Sequence, residues 1–210
     1  MAETMKVYVN QDSLRAESEG VEIMAKGTKR GELCVVDFYT QMALEGRVFQ
    51  VRAGTVTTHL AGGVEIQDTK ADMCADAALG TTIMPIWLNL HIEALGGTVP
   101  IVCAKSVGAV STAGAAFVPL PLLMGGNAAM STARVVAAGG ATVAAELSTT
   151  TRRHYSGTLA TVDALLNWEP RTPPVLVGPA CFYVQIAATT TGPNYFGNFD
   201  YIELPTINIS

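Results

Sequence analysis

A long segment without any formally charged residue constrains this chain most strongly. Residues 106–133 contain no Asp, Glu, Lys or Arg, and Gly and Pro interrupt the segment repeatedly. Such a composition favours strands and tight turns over a helix. Because large neutral surfaces attract other protein, we expect the segment to be covered, most simply by further copies of the chain.

The charges that the chain does carry are unevenly placed. Charged residues make up 15% of the 210 residues and hydrophobic residues 49%, whereas roughly 25% are charged in an ordinary domain. The first 32 positions hold five of the 13 basic and six of the 18 acidic residues. We predict a charged N-terminal arm or edge extension over residues 1–27, with a first strand and a tail as the alternative, and one domain over residues 28–210.

The overall charge argues against nucleic acid as a partner, and the Gly and Pro residues of the uncharged segment argue against a membrane span. A net charge of −5 and a mixed N-terminal segment do not provide the basic field that nucleic acid requires. The uncharged segment is long enough for a membrane span, but Gly108, Gly114, Pro119 and Pro121 would break a helix. We therefore predict no direct nucleic-acid contact and no membrane span, and the lack of a secretory signal in the first ten residues predicts synthesis in a cytoplasm.

Alternation with a period of two residues predicts the fold class. In residues 86–93, apolar side chains alternate with Trp87, Asn89, His91 and Glu93, which share the opposite face of the predicted strand. Further candidate strands, among them residues 32–40 and 182–187, are separated by Gly, Pro, Asn and Thr clusters. This pattern is typical of an all-β, antiparallel sandwich with little helix. The segment with the best helix formers is residues 69–79, which predicts a short helix or a loop turn.

The motifs of catalysis and metal binding are missing from the sequence. His59, His91 and His154 show no metal-ligand spacing, and although His91 and Glu93 share a strand face, two ligands do not make a site. The sequence has neither a G-x-S-x-G elbow nor a phosphate-binding glycine loop. We therefore predict no catalytic residue, no metal, no cofactor and no enzymatic activity.

The four cysteines are predicted to be free thiols. They are widely and irregularly spaced, without a C-x-x-C pair, and three of them lie in apolar, strand-like runs. These residues are Cys34, Cys74, Cys103 and Cys181.

Two groups of residues are candidates for a subunit interface or a ligand contact. Arg152, Arg153 and Tyr155 form a basic and aromatic group, which predicts either an anion or glycan contact or a salt link between subunits to an acid such as Glu146 or Asp163. The second group is Trp87 with Asn89 and His91 on the polar face of its strand. Burial of such a Trp between subunits would contribute roughly 1.5–3 kcal/mol, and a local loop is the alternative cover.

Three runs of sequence resemble the jelly-roll or tumour-necrosis-factor-like sandwiches of virus and phage capsid, spike and decoration proteins. The runs are TTIMPIWLNL from Thr81, CFYVQI from Cys181 and YFGNFDYIEL from Tyr195. The resemblance implies eight core strands in two sheets, trimers or higher rings, and a place in a shell or on its surface. Many small RNA-virus coats carry a basic arm, which this chain lacks.

These observations predict a non-enzymatic virion structural protein, made in the host cytoplasm, that acts as a capsid, minor capsid or decoration component. Its partners would be its own copies, most simply in a homotrimer, and other capsid proteins. A carbohydrate- or receptor-binding sandwich that uses Trp87, Tyr155, Trp168 or Tyr195 as a stacking platform is the first alternative. A cupin-like enzyme on the same sandwich is the second.

Overall fold

The computed structural model describes residues 37–146 and 149–208 in full, and residues 6–8 and 22–24 as backbone strands only. The protein is mostly β, with 49% strand and 7% helix, so the all-β prediction is confirmed. Helix α1 spans Phe38–Leu44, and two short 3-10 turns span Ala137–Gly139 and Thr206–Asn208. The strands are, in chain order, β1 (Lys6–Tyr8), β2 (Glu22–Met24), β3 (Val48–Ala53), β4 (Leu60–Ala61), β5 (Lys70–Ala71), β6 (Met73–Ala77), β7 (Thr81–Ala94), β8 (Ile101–Val107), β9 (Ala116–Phe117), β10 (Leu120–Pro121), β11 (Thr132–Val135), β12 (Ala141–Thr142), β13 (Arg152–Thr158), β14 (Ala164–Trp168), β15 (Leu176–Val177), β16 (Ala180–Ala187) and β17 (Asn194–Pro205).

Most of the strands belong to two antiparallel sheets. Sheet one has the order β10-β3-β17-β7-β14, with β15 also on β7 and β4 also on β17. Sheet two has the order β13-β8-β16-β6-β11-β9. Two small pairs, β1 with β2 and β12 with β5, lie outside these sheets. Apart from β1 and β2, the predicted arm at residues 1–27 lies outside the described residues.

The pairing of the eight principal strands is nested along the chain. The first of them, β3, pairs with the last, β17, and the second, β6, pairs with the next to last, β16. Inside these pairs, β7 bonds to β14 and β8 bonds to β13. The pairs alternate between the two sheets, so the chain crosses the sandwich repeatedly and the predicted antiparallel sandwich is confirmed.

The core lies between the facing sides of the two sheets. Sheet one contributes side chains such as Leu88 and Phe199, and sheet two contributes Ala75, Phe182 and Val184, all fully buried. The rings of Phe182 and Phe199 meet edge to face, with 5.2 Å between their centroids. Each large side chain buried in this way stabilises the fold by roughly 1.5–3 kcal/mol.

Both helix and strand were mispredicted near the start of the domain. Residues 69–79 contain β5 and β6 instead of a helix, because β6 lies between β16 and β11 and all five of its residues are buried. Tertiary packing therefore outweighs their helix propensity. Conversely, α1 occupies the end of the predicted strand at residues 32–40, whose other residues up to 36 lie outside the described part. The Asp37 carboxylate accepts hydrogen bonds from the amides of Tyr39 and Thr40, each at 3.0 Å, and so begins the helix.

Three of the four cysteines are described. Cys74, Cys103 and Cys181 are free thiols and all three are buried, whereas Cys34 lies outside the described residues. Within the described ranges, no helix has the length and apolar character needed to cross a membrane.

Candidate functional site

The uncharged segment, residues 106–133, exposes several large apolar side chains, and we call it the neutral surface. It leaves β8, passes through the short strands β9 and β10 and enters β11. Several of its large apolar side chains are exposed, with Val118 at 73% and Met124 at 92% of their full exposure. The other exposed members are Val110, Leu120, Leu122, Leu123 and Met130.

A buried carboxylate on β6 holds the beginning of the neutral surface. Asp76 accepts hydrogen bonds from the backbone amide of Ser111 at 2.7 Å and from its hydroxyl. The guanidinium of Arg134 donates to the same hydroxyl at 3.0 Å. Both Asp76 and Ser111 are almost completely buried. The charge that the segment itself lacks is thus supplied by neighbouring strands.

A second buried carboxylate, on β17, holds the end of the neutral surface. The two oxygens of Glu203 accept from the backbone amides of Met130 and Ser131 at 2.8 and 2.7 Å. The hydroxyls of Ser131 and Tyr201 also lie 2.7 Å apart. Charge-assisted bonds of this kind are about twice as strong as neutral ones. The exposed apolar side chains are therefore presented by a segment that is anchored at both ends.

Between these anchors, the neutral surface provides an outer strand of sheet one. β10 pairs with β3 through Leu120 opposite Gln50, and the amide of Leu122 donates to the carbonyl of Val48 at 2.9 Å. Within the described part of the chain, the other side of β10 has no strand beside it. An outer strand with exposed leucines is a surface on which another chain can pair or pack.

The predicted group on β7 lies on the outer face of sheet one. Trp87 is 38% exposed, Asn89 donates its side-chain amide to Asn167 at 2.6 Å, and His91 is partly buried. Helix α1 packs over another part of this face, where its Met42 forms a buried apolar cluster with Val48, Ile202 and Leu204. The contact of Trp87 with a partner subunit stays a prediction.

Two histidines and two carboxylates meet at one end of this outer face, and we call them the histidine–carboxylate cluster: His59, His91, Glu93 and Asp163. His59 Nε2 lies 3.9 Å from Glu93 Oε2, and His91 Nε2 lies 3.9 Å from Asp163 Oδ1. The ring of Phe196 contacts both imidazoles, with its centroid 4.7 Å from that of His91 and 5.9 Å from that of His59.

The predicted group on β13 lies on an edge strand of sheet two, so the structure does not unite it with Trp87. Arg153 pairs with Glu146 of the same chain at 3.2 Å, and Arg152 donates to the carbonyls of Thr149 and Thr151. The salt link of Arg153 to Glu146 thus lies within one chain, whereas the sequence predicted a link between subunits. Tyr155 is partly buried and packs against the core.

The same Glu146 neutralises a buried lysine that the sequence analysis did not single out. Lys105 on β8 is 2% exposed, and its Nζ lies 2.6 Å from Glu146 Oε2. The hydrogen bond from Lys105 is the largest influence on Glu146 and holds the pKa of that carboxyl below its usual value. This pair fixes the segment before residue 147 on the outer side of sheet two.

Most of the aromatic side chains proposed as sugar platforms are not free to act as such. Tyr195 is fully buried, and the ring of Trp168 stacks on Phe182 at 6.0 Å in contact with the core. A shallow cleft of about 190 Å³, lined by residues such as Val64 and Val99, is smaller than the roughly 300–1,000 Å³ of typical small-molecule sites. Of the named platforms, Trp87 is the one most exposed to solvent.

Comparison with known proteins identifies no relative: no family model, no curated protein and no solved structure matches this chain.

The sequence analysis missed the residues that depend on long-range pairing. Asp76 and Glu203 lie far along the chain from the segments that they hold, and nothing near either carboxylate indicates its partner. Asp163 and His59 reach His91 and Glu93 only because of sheet pairing and loop packing. The alternating pattern of β7 places His91 and Glu93 on one face, but it does not indicate that His59 and Asp163 lie beside them.

Proposed function

We propose that this protein is a non-enzymatic virion structural protein, a capsid, minor capsid or decoration component, that self-assembles through the neutral surface. The homotrimer is the simplest closed form that the resemblance to jelly-roll virion proteins implies. Closed symmetry would hide apolar edges that otherwise lead to open-ended aggregation.

The observation that carries the proposal is the exposure of large apolar side chains on an anchored segment. Seven such residues of the neutral surface are exposed, although the buried Asp76 and Glu203 fix both of its ends. A fixed apolar surface loses little conformational entropy when a partner covers it, so more of the burial energy is available for association. Neutral composition and fixed geometry together favour an assembly surface.

The nested strand order is consistent with the jelly-roll resemblance from which the virion part of the proposal starts. Eight strands in two sheets, paired first with last and inward from there, is the arrangement expected of a jelly roll. That fold serves viral capsid proteins, and also lectins and cupins, so the order by itself does not choose among them. The neutral surface favours the capsid class, since a shell component must associate with other protein chains.

Light scattering coupled to size-exclusion chromatography tests the assembly step. We expect a mass near three times the 22.0 kDa chain at micromolar concentration. Met124→Glu and Val118→Glu should shift the protein toward monomer, because each places a charge on the proposed interface. Leu79→Glu is the matched control, since Leu79 is 86% exposed outside the neutral surface. A wild-type monomer would overturn the proposal.

A second candidate function rests on the exposed Trp87. Its indole lies on the same face as the hydrogen-bonded amides of Asn89 and Asn167, and an aromatic ring beside amides is a common combination for sugar recognition. Binding of wild-type protein to a glycan array, abolished by Trp87→Ala, would favour a carbohydrate-binding role. An array without hits would remove this candidate.

A further inference from the structure

We propose that the histidine–carboxylate cluster binds a divalent transition-metal ion, with Zn²⁺ as the representative ion. The site does not depend on the proposed assembly function. It also departs from the sequence-based expectation of no metal, which rested on the wide separation of the histidines along the chain.

The sheet brings the ligands together from three separate parts of the chain. His91 and Glu93 are two residues apart on β7, so both side chains point to the outer face of sheet one. Asp163 directly precedes β14, and its amide donates to the carbonyl of Ile92 at 2.8 Å, between those two residues. His59 comes from the loop before β4, where its Nε2 lies 3.9 Å from Glu93 Oε2 and its ring lies 5.9 Å from that of Phe196.

The distances suit ligands around a common ion better than they suit direct hydrogen bonds. One ligand atom from each of His91, Glu93 and Asp163 lies within 4.8 Å of the other two. Atoms that share one ion are separated by roughly 3–5 Å, because each is about 2.0–2.6 Å from the metal. The two imidazole–carboxylate pairs, both at 3.9 Å, are too long for hydrogen bonds.

The imidazoles also carry nitrogen atoms without partners. His59 Nε2 and His91 Nδ1 are buried and form no hydrogen bond with the described residues. His59 Nε2 is the atom that faces Glu93 Oε2. A buried polar atom without a partner is costly, and a metal ion between this nitrogen and the carboxylate would satisfy it.

The donor set selects the kind of ion. The imidazole of His91 with the carboxylates of Glu93 and Asp163, and the second imidazole of His59 3.9 Å from Glu93, suits Zn²⁺ and similar first-row ions, whereas Ca²⁺ and Mg²⁺ prefer oxygen ligands alone. A second group, Cys74, Asp76 and Cys181, is equally compact, but both Asp76 oxygens already accept from Ser111. The guanidinium of Arg134, which donates to the Ser111 hydroxyl, would also repel a cation. The exposed cluster is therefore the better site.

Isothermal titration of the chelator-treated, full-length protein with ZnCl₂ tests the proposal. We expect one Zn²⁺ per chain and much weaker binding of CaCl₂. His91→Gln and Asp163→Asn should each weaken Zn²⁺ binding by about tenfold or more. The Asp163 side chain is 78% exposed, so its replacement leaves the fold intact. His154→Gln is the matched control, because His154 lies on β13 beside Ser106, and it should leave the affinity unchanged.

Absorption of the Co²⁺-loaded protein separates this site from the cysteines. Nitrogen and oxygen ligands should produce only weak visible bands, and strong near-ultraviolet thiolate-to-metal bands would assign the ion to cysteine and overturn the proposal. Absence of stoichiometric Zn²⁺ binding would do the same. An affinity for Zn²⁺ that is unchanged in both His91→Gln and Asp163→Asn would also overturn the proposal.

Discussion

At the scale of single residues, the fold depends on a few ionisable groups that are buried in an otherwise charge-poor chain. Asp72, Asp76, Lys105, Asp200 and Glu203 are each less than one tenth exposed. All but Lys105 accept hydrogen bonds from amides or hydroxyls, and Lys105 has a carboxylate partner. These buried ionisable groups thus hold strands and loops in place inside the fold, while most other described charged residues lie at the surface.

Removing the partner of Lys105 should destabilise the protein much more than removing its exposed neighbour. Glu146→Gln leaves a buried ammonium without a counter-charge, and we expect a loss of about 2–4 kcal/mol in the free energy of unfolding. Arg153→Gln removes the other, more exposed partner of Glu146 and should cost less than about 1 kcal/mol. Chemical denaturation of both variants measures the difference. Equal losses would contradict this account of Lys105.

Asp72 should make part of the stability depend on pH. Burial raises its pKa from 3.8 to about 7, although the amides of Ile186 and Gly139 donate to it. Since the folded pKa exceeds the unfolded one, the contribution of Asp72 is complete below pH 3.8 and is lost as the pH rises through 7. The loss would be on the order of 4 kcal/mol.

Comparison of wild type with Asp72→Asn from pH 4 to 8 isolates this contribution. The advantage of wild type over the variant should shrink as the pH rises, because the variant has no carboxyl to ionise. Asp37→Asn is the control: the side chain and amide of Thr40 lower the pKa of Asp37, so its contribution is lost only below pH 3.8 and the difference between wild type and this variant should stay nearly constant from pH 4 to 8. An advantage of wild type that grows with pH would show that Asp72 is ionised in the folded protein.

At the scale of elements, the neutral surface is held in place by strands from other parts of the chain, β6 and β17. Glu203→Gln should therefore loosen the end of the neutral surface, because one acceptor oxygen becomes a donor facing an amide. We expect faster hydrogen exchange at Met130 and Ser131 and a loss of about 1–3 kcal/mol. The exposed Glu169→Gln is the control. Unchanged exchange at Met130 would disprove the anchor.

Local pattern predicted a strand where apolar side chains alternate clearly with others, as they do in β7 and in the fully buried β16. The alternation in residues 86–93 identified β7, because one face of that strand packs in the core and the other carries Trp87. In β6 both faces are buried, so small residues such as Ala75 replace the alternation and mimic a helix. The histidine–carboxylate cluster could not be predicted from the sequence for a different reason. Asp163 lies near His91 because β14 pairs with β7, and no local spacing of residues indicates that pairing.

At the scale of the whole molecule, the fold places the proposed assembly surface and the proposed metal site on different parts of the protein. The neutral surface runs from sheet two to an outer strand of sheet one, and the histidine–carboxylate cluster lies on the outer face of sheet one. Arg152 and Arg153 lie on β13, at an edge of sheet two. An assembly that covers the neutral surface could thus leave the proposed metal site open to solvent.

Self-association through the neutral surface should be insensitive to salt, because residues 106–133 contain no charge to be screened. We expect the same oligomer mass by light scattering from about 0.05 to 1 M NaCl, a range over which exposed ion pairs weaken strongly. Cooling should instead favour dissociation, since apolar burial contributes less at low temperature. Dissociation at high salt would indicate an interface built on charged groups such as Arg152 and Arg153. The neutral surface would then lose its proposed role.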